Sequence, residues 1–241
     1  MWLDHILKKR YRPQDVQRKL HQLDQWIEKT MPDTGCWNID WLGELVRKID
    51  DLWYEGQLLK HLEDSYGGLR LELDVESKSV AGYVVETADR KRISLHMNRD
   101  LFVELFQKRD VAYHSGGNIC RTRASCFLGV LLHETMHLLV TLADKHGVQK
   151  EKSEHDQQFK AMIRNWFGQQ ETLHGLIPGY HAKQDIATIR KALKPGLSVE
   201  VFHDGTWHPA VVTQKGRVWH SIRLRNGSRM EVHTGLIRLK D

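Results

Sequence analysis

Cysteine is scarce in this sequence, and its few copies form no recognisable pair. The 241 residues include only Cys36, Cys120 and Cys126, with no C-x-x-C motif. This pattern excludes a disulfide framework and a cysteine-based zinc ribbon. No apolar run approaches the roughly 18 residues of a membrane span, and the N-terminal stretch lacks a small-residue cleavage site. We therefore expect an intracellular protein, cytoplasmic or nuclear, that is neither secreted nor membrane-spanning.

Positive charge is unevenly distributed along the chain. Residues 1–19 and residues 194–241 each carry a net charge of +4, whereas the whole chain carries +5, which leaves −3 for the middle. Basic ends around a slightly acidic body favour contact with a polyanion such as DNA. Ordinary solvated surface charge is the alternative reading of the same pattern.

Hydrophobic periodicity divides the chain into three regions and predicts an α+β protein. Residues 1–39 form an N-terminal helical segment. Residues 40–193 combine helices with strand-like runs at 69–75, 80–87 and 91–98. Residues 194–241 follow a proline–glycine turn and contain short strands separated by Asp-Gly and Asn-Gly pairs, which favour tight hairpins. Several short strands in so few residues predict a small closed barrel.

The segment GVLLHETMHLLVTL, residues 129–142, places two histidines and a glutamate in an otherwise apolar run. On a helix, His133 and His137 share one face and can direct two ring nitrogens to one metal ion. Glu134 lies about 100° round the helix, where it can reach a water molecule rather than the metal. This is the HExxH pattern of zinc peptidases, in which the glutamate is the general base. A chain with 15 histidines can contain the bare motif by chance, so its strongly apolar setting is what favours a metal site.

A catalytic zinc site takes three protein ligands and leaves one position open. Val140 and Ala143 stand where the metzincin pattern requires glycine and histidine, which excludes that subclass. The downstream candidates for the third ligand are Glu151, Glu154, Glu171, His146, His155 and His174. We favour His155 because it opens a helical pattern whose apolar face would fix its position. The expected cofactor is one Zn²⁺ ion.

The segment LLHETMHLLVTLADKHGVQKEKSEHDQQFKAMIRNWFG resembles the core of the SprT-like metallopeptidases, which include the Spartan DNA–protein crosslink proteases. In that family the third histidine begins a following His-Gly-x-x-Phe segment, which corresponds to His155 here. LWYEGQLL and VAGYVVET with RISLHMNRDLF resemble the helix and strands that precede the motif, so the resemblance covers roughly residues 40–170.

The resemblance implies a zincin-like domain with helices and a small mixed sheet. It also implies zinc bound by His133, His137 and His155, Glu134 as the catalytic base, and substrates that are DNA-associated or DNA-crosslinked proteins. The sequence departs from the family in two places. Asp156 replaces the usual glycine, and the cysteine zinc ribbon of many members is absent.

The tail, residues 194–241, looks like a Tudor or SH3-like barrel. Its aromatic residues Phe202, Trp207 and Trp219 are candidates for a cage that binds a modified lysine or arginine. The alternative is that they form the core of a small domain. Four arginines around the predicted hairpin favour phosphate contact, although Asp204 and Glu231 dilute them: Arg217, Arg223, Arg225 and Arg229.

Two functions follow from these patterns. The first is a zinc endopeptidase that acts on proteins bound or crosslinked to DNA. The second is a binding protein whose barrel recognises nucleic acid or a protein partner. In that case the metal site is structural, or it directs cleavage of one specific partner. The presence of Glu134 favours the enzyme, because a structural metal site does not require a general base.

Overall fold

Eight helices and three small sheets make up the part of the chain that the computed structural model describes. That part comprises residues 2–30, 37–73, 80–104, 113–120, 122–148, 155–172, 174–176, 183–203, 206–216, 219–234 and 237–239. The helices are α1 (Trp2–Lys8), α2 (Pro13–Thr30), α3 (Ile39–Trp53), α4 (Leu58–Tyr66), α5 (Arg99–Glu104), α6 (Arg123–Lys145), α7 (Gln157–Phe167) and α8 (Lys183–Ala192). The strands are β1 (Leu69–Glu72), β2 (Gly82–Glu86), β3 (Ile93–Met97), β4 (Tyr113–Ser115), β5 (Asn118–Cys120), β6 (His174–Gly175), β7 (Ser198–His203), β8 (Thr206–Gln214), β9 (Trp219–Leu224), β10 (Arg229–His233) and β11 (Ile237–Leu239).

The first sheet is small and mixed, as the α+β prediction requires. Its order is β1-β3-β2, with β1 parallel and β2 antiparallel to the central β3. Alternate residues of β3 point into the core, which buries Ile93, Leu95 and Met97. The edge strand β2 packs against α6. The three predicted strands are confirmed, each shorter than its sequence pattern suggests.

The central helix α6 is buried along most of its length. Its first turn is closed by a capping box, in which the Ser125 N–H donates to Thr122 Oγ1 at 3.0 Å and the Thr122 N–H donates to Ser125 Oγ at 3.1 Å. By length and composition α6 could cross a membrane, with a mean hydropathy of 1.6. This corrects the expectation that no segment approaches a membrane span. The expectation failed because two histidines and a glutamate interrupt the apolar run but leave the mean hydropathy of the helix as high as that of a possible membrane span. Most of that stretch, 83%, is buried inside the protein, as in the core helix of a folded domain.

The sequence pattern predicts a single helix from residue 39 to residue 62, but the structure breaks it into α3 and α4. The chain reverses at Glu55 and Gly56, whose φ angles are +61° and +68°. Asp50 bridges the break: its carboxylate accepts hydrogen bonds from the N–H groups of Leu58 at 2.9 Å and Leu59 at 3.1 Å. These N–H groups lie in the first turn of α4 and have no partner within the helix. A side chain from one helix therefore caps the next.

Buried apolar residues of the described chain fall into two clusters. The larger runs from Leu3 to Leu176 and includes residues of α1 and α2, so the N-terminal segment packs into the same core as α6. The smaller runs from Ile189 to Ile237, and in it Ile189 and Leu193 pack with the tail strands. The division into 1–39, 40–193 and 194–241 stays a prediction.

The tail strands form one antiparallel sheet in the order β10-β9-β8-β7-β11. The predicted Asn-Gly hairpin is confirmed: Gly227 has a φ angle of +87°, and its N–H donates to the Leu224 carbonyl at 2.9 Å. The predicted Asp-Gly turn lies outside the described residues, although His203 and Thr206 pair on either side of it.

The cap of α4 leads to a stability prediction. We expect Asp50→Ala to lower the free energy of unfolding by about 1–3 kcal/mol, because one buried and one partly buried N–H group lose a charged acceptor. Urea unfolding followed by tryptophan fluorescence measures this loss. The neighbouring Asp51→Ala, at an exposed site of the same helix, is the control and should change stability by less than about 0.5 kcal/mol. Equal losses in the two variants would contradict the capping role.

Candidate metal centre

Three histidine side chains converge at one point beside α6. The Nε2 atom of His133 lies 3.2 Å from Nε2 of His137 and 3.0 Å from Nε2 of His155, and the last two lie 3.1 Å apart. The three nitrogens therefore form a nearly equilateral triangle, which we call the histidine triangle. Within the part of the chain that the structure describes, no other histidine, cysteine or carboxylate joins this group.

Two helices position the triangle. His133 and His137 are one turn apart on α6, as the HExxH spacing predicts. His155 lies two residues before α7 rather than in its first turn, and Asp156 is the N-cap, whose carboxylate accepts from the Phe159 N–H at 2.8 Å. Asp156 is thus a strong N-cap of α7. The Phe159 ring contacts all three imidazoles, with centroid distances of 5.1, 4.4 and 5.1 Å.

The triangle has the dimensions that a tetrahedral metal site needs. Three nitrogen ligands at about 2.0–2.1 Å from a zinc ion lie about 3.3 Å from one another, close to the 3.0–3.2 Å seen here. Burial lowers the pKa of His133 well below its usual value and that of His137 to about 4, and repulsion from neighbouring histidines adds to both effects. Both rings are therefore neutral near pH 7 and keep a lone pair for a metal. The residues present fit a metal ion.

The predicted general base, Glu134, is buried between α6 and the edge strand β2. It is 5% exposed. A Cβ on Gly82 would lie 3.2 Å from Glu134 Cγ and 3.1 Å from the His96 carbonyl oxygen, so any side chain at residue 82 would crowd the glutamate. The helix can approach the sheet this closely because residue 82 is glycine.

The other candidates for the third ligand that the structure describes do not join the triangle. His146 follows the end of α6, and its Nε2 lies 2.9 Å from Ser65 Oγ. His174 is nearer, with its ring centroid 4.8 Å from that of His133, but its Nδ1 is hydrogen-bonded to Ser115 Oγ at 2.8 Å. Glu171 is not part of the metal-binding group, and Glu151 and Glu154 lie outside the described residues.

The tail arginines are only partly brought together. Arg223 and Arg229 are direct cross-strand partners on β9 and β10. Arg225 is exposed in the turn between these strands, and Arg217 lies outside the described residues. Among the described arginines of the set, Arg223 and Arg229 therefore form an adjacent pair.

Of the three residues predicted for an aromatic cage, the structure describes the side chains of Trp207 and Trp219. Trp207 is near the start of β8 and Trp219 begins β9, and the antiparallel register puts these two positions at opposite ends of the ladder. The Trp207 ring is covered by the Arg238 guanidinium at 4.4 Å. Phe202 pairs with Trp207 through the backbone, but its side chain lies outside the described residues. The separation of Trp207 from Trp219 could not be predicted from sequence spacing, because strand register decides which aromatic residues lie close together.

Sequence reasoning missed the residues that surround the triangle. The segment YHSGGN, whose two glycines predict a loop, forms the hairpin of β4 and β5, with φ angles of +57° and +81° at Gly116 and Gly117. Gln169, after α7, lies against α6 and donates through Nε2 to the Gly129 carbonyl at 2.6 Å. The two glycines were a usable hairpin signal, whereas no pattern marked Gln169.

Comparisons with protein-family models, with curated proteins and with solved structures find no match. The assignment of a function therefore rests on the residues of the site.

The triangle predicts which histidines hold the metal. We expect His133→Ala, His137→Ala and His155→Ala each to weaken zinc binding by more than about 100-fold, because each removes a direct ligand. Competition with a coloured zinc chelator measures the affinity. His146→Ala removes a histidine close in sequence and is the control that should bind zinc like the parent chain. Loss of zinc by the control but not by His155→Ala would assign the third ligand to residue 146.

Proposed function

We propose that the chain is a zinc-dependent endopeptidase of the SprT-like type that acts on DNA-associated or DNA-crosslinked proteins. The proposal includes a zincin-like fold for the body and an SH3- or Tudor-like barrel for the tail. The observation that carries it is the histidine triangle, with separations of 3.0–3.2 Å, next to the glutamate that follows its first member. Three nitrogen ligands beside a general base are the composition of a catalytic zinc site rather than a structural one.

The residues of the site have distinct roles in this proposal. His133, His137 and His155 would hold the zinc ion, which supplies a Lewis acid for polarising a carbonyl and acidifying water. Glu134 accepts a proton from the attacking water as its oxygen bonds to the peptide carbonyl carbon. Glu134 then returns that proton to the amine nitrogen as the C–N bond breaks. Its burial beside Gly82 keeps the carboxylate in one place.

The edge strand next to Glu134 favours an extended peptide as substrate. Among the described strands β2 pairs only with β3, so the backbone groups on its other side are paired with no other described strand. Extended peptides bind such edges through main-chain hydrogen bonds. Because β2 packs against α6, a peptide added there would lie beside the helix that carries Glu134.

We assign the DNA contact to the outer face of β9 and β10. Arg223 and Arg229 lie directly opposite each other, an arrangement that is unfavourable for two like charges unless an anion lies between them. Trp219 is on the same side of β9 as Arg223 and is 57% exposed. Exposed arginines bind phosphates, and an exposed aromatic ring can stack on a base.

The alternative function is a binding protein in which the tail recognises nucleic acid or a protein and the metal site is structural or serves one specific partner. A structural site closes its fourth position with another protein ligand. Within the described residues the metal-binding group has only three members, which favours the enzyme.

The role of Glu134 can be separated from folding and metal binding. We expect Glu134→Gln to bind zinc like the parent chain but to cleave casein roughly 10²–10⁴-fold more slowly, because the amide keeps the shape of the side chain and cannot accept the proton. Glu44→Gln, at an exposed position of α3, is the matched control and should cleave at the parent rate. A rate of casein cleavage by Glu134→Gln equal to that of the parent chain would contradict the peptidase proposal and favour a structural metal site.

The arginine pair can be tested by substitution. Removal of the whole tail by truncation at Lys194 would test the DNA contact less specifically, because Ile189 and Leu193, which precede that residue, pack in the core of the tail. We expect the double variant Arg223→Ala/Arg229→Ala to weaken binding to duplex DNA and to reduce the slope of log affinity against log salt by about 2, one for each lost phosphate contact. Casein cleavage should be unchanged.

The control for this test is Arg47→Ala/Lys60→Ala, which removes the same charge from exposed positions of α3 and α4. If both double variants lose DNA affinity equally, the effect comes from net charge and the β9–β10 face is not the DNA surface. Fluorescence anisotropy of a labelled duplex over a range of salt concentrations measures both quantities.

A further inference from the structure

The first ligand of the triangle has a second nitrogen that needs a partner. His133 directs Nε2 to the other two histidines, at 3.0 and 3.2 Å. Its Nδ1 is buried and makes no hydrogen bond that meets ordinary geometric limits. A neutral imidazole that binds a metal through Nε2 must carry its proton on Nδ1. A buried N–H of this kind requires an acceptor.

Gln169 offers an acceptor of the right kind at this place. The side chain is 2% exposed, and its Nε2 donates to the Gly129 carbonyl at 2.6 Å, which fixes the orientation of the amide. The remaining polar atom, Oε1, is buried and also has no hydrogen bond within ordinary limits. A carbonyl oxygen without a donor and an imidazole nitrogen without an acceptor are complementary.

The placement of the amide along α6 supports this pairing. Gly129 is four residues before His133, so the amide of Gln169 lies over the turn that precedes the histidine. Side chains on a helix point back over that turn.

The segment that carries Gln169 is held firmly against the β4–β5 hairpin. The N–H groups of Gln170 and Glu171 both donate to the Gly116 carbonyl, at 2.7 and 3.1 Å. A Cβ on Gly116 would lie only 2.6 Å from Gln169 Cγ, so the hairpin approaches the side chain as closely as glycine permits. Gln169 is therefore fixed from the hairpin side and from the helix side.

We propose that Gln169 is a positioning residue of the metal site, whose side-chain carbonyl accepts the Nδ1–H of His133 and thereby keeps Nε2 as the metal-binding atom. Outer partners of this type orient metal-binding histidines and raise their basicity. The inference rests on the metal site of the proposed function and not on its hydrolysis, so metal titrations test it whatever the chain cleaves. A purely structural glutamine, which only ties its segment to α6, is the competing explanation.

Two substitutions separate these roles in the full chain. Gln169→Met keeps the length of the side chain but removes both the acceptor and the donor. Gln169→Glu keeps an acceptor for His133 but loses the donor to Gly129. Gln170→Met is the matched control, because Gln170 is exposed and its side chain reaches only the Gly168 carbonyl, at 3.2 Å. For each variant we would measure zinc affinity by chelator competition, the visible spectrum of the Co²⁺ form, and the melting temperature without metal.

A positioning role predicts a defined pattern. Gln169→Met should weaken zinc binding by about 10–100-fold and alter the Co²⁺ spectrum. Gln169→Glu should restore most of the affinity, and Gln170→Met should match the parent chain. Unchanged zinc affinity in Gln169→Met would overturn the proposal. Equal weakening in Gln169→Met and Gln169→Glu, together with equal loss of metal-free melting temperature, would overturn it in favour of the structural role. A parent chain that binds no zinc would overturn the metal site and this inference together.

Discussion

Three imidazole nitrogens held 3.0–3.2 Å apart inside a protein are the constraint on which the rest of this structure depends. A neutral imidazole has one N–H, so three Nε2 atoms cannot satisfy one another fully by hydrogen bonding. Without a cation between them, their proximity costs free energy, and packing must maintain it. A bound metal removes that cost and links metal affinity to folding. Phe159 is central to this packing, because its ring contacts all three histidines while its N–H is held by Asp156.

The same constraint gives the N-terminal segment a role in the site. The position of His155 depends on the position of α7, which begins two residues later. Two hydrogen bonds from other segments hold α7: the Tyr11 N–H donates to Asn165 Oδ1 at 3.2 Å, and the Trp53 indole N–H donates to the Trp166 carbonyl at 3.0 Å. Residues that the sequence pattern assigns to a separate N-terminal segment therefore support the third corner of the triangle. This explains why α1 and α2 share the core of α6 instead of forming a core of their own.

The parts of the site that could be predicted from sequence are those that depend on local periodicity. His133, Glu134 and His137 are related by one helical turn, and no tertiary information is needed to bring them together. The position of the third histidine depends on how α7 packs on α6. The length of the connecting loop alone therefore could not distinguish His155 from the other candidates for the third ligand. Gln169 could not be found, because it lies in an irregular segment and acts through its distance from another helix.

The fold also contains some features that local spacing predicts and others that depend on tertiary contacts. Long amphipathic helices such as α2 are evident from spacing, whereas the break between α3 and α4 depends on the Asp50 carboxylate reaching the N–H groups of Leu58 and Leu59. The strands of the β4–β5 hairpin have three residues each, which is too short for alternation to appear in the sequence. Their register, and with it the approach of Gly116 to Gln169, is a tertiary property.

The net charge of a segment does not show which of its charged side chains make contacts within the folded protein. The two basic ends have the same net charge in the sequence, but two of the N-terminal cations, Lys9 and Lys19, are partly buried in contacts within the protein. Lys9 pairs with Glu55, and Lys19 donates to the Leu52 carbonyl and lies over the Tyr11 ring at 4.1 Å. Burial is the main reason that the pKa of Lys19 falls to about 8.

The tail cations have a different environment. Arg223 and Arg229 sit side by side on an exposed face and have no carboxylate partner among the described residues. Two guanidinium groups in this position repel each other in the free protein, so binding an anion there relieves a repulsion as well as adding an attraction. Equal net charges at the two ends therefore do not mean equal affinity for a polyanion. In the folded structure the tail presents an exposed pair of arginines, whereas the N-terminal helix α2 packs against α7, which follows His155.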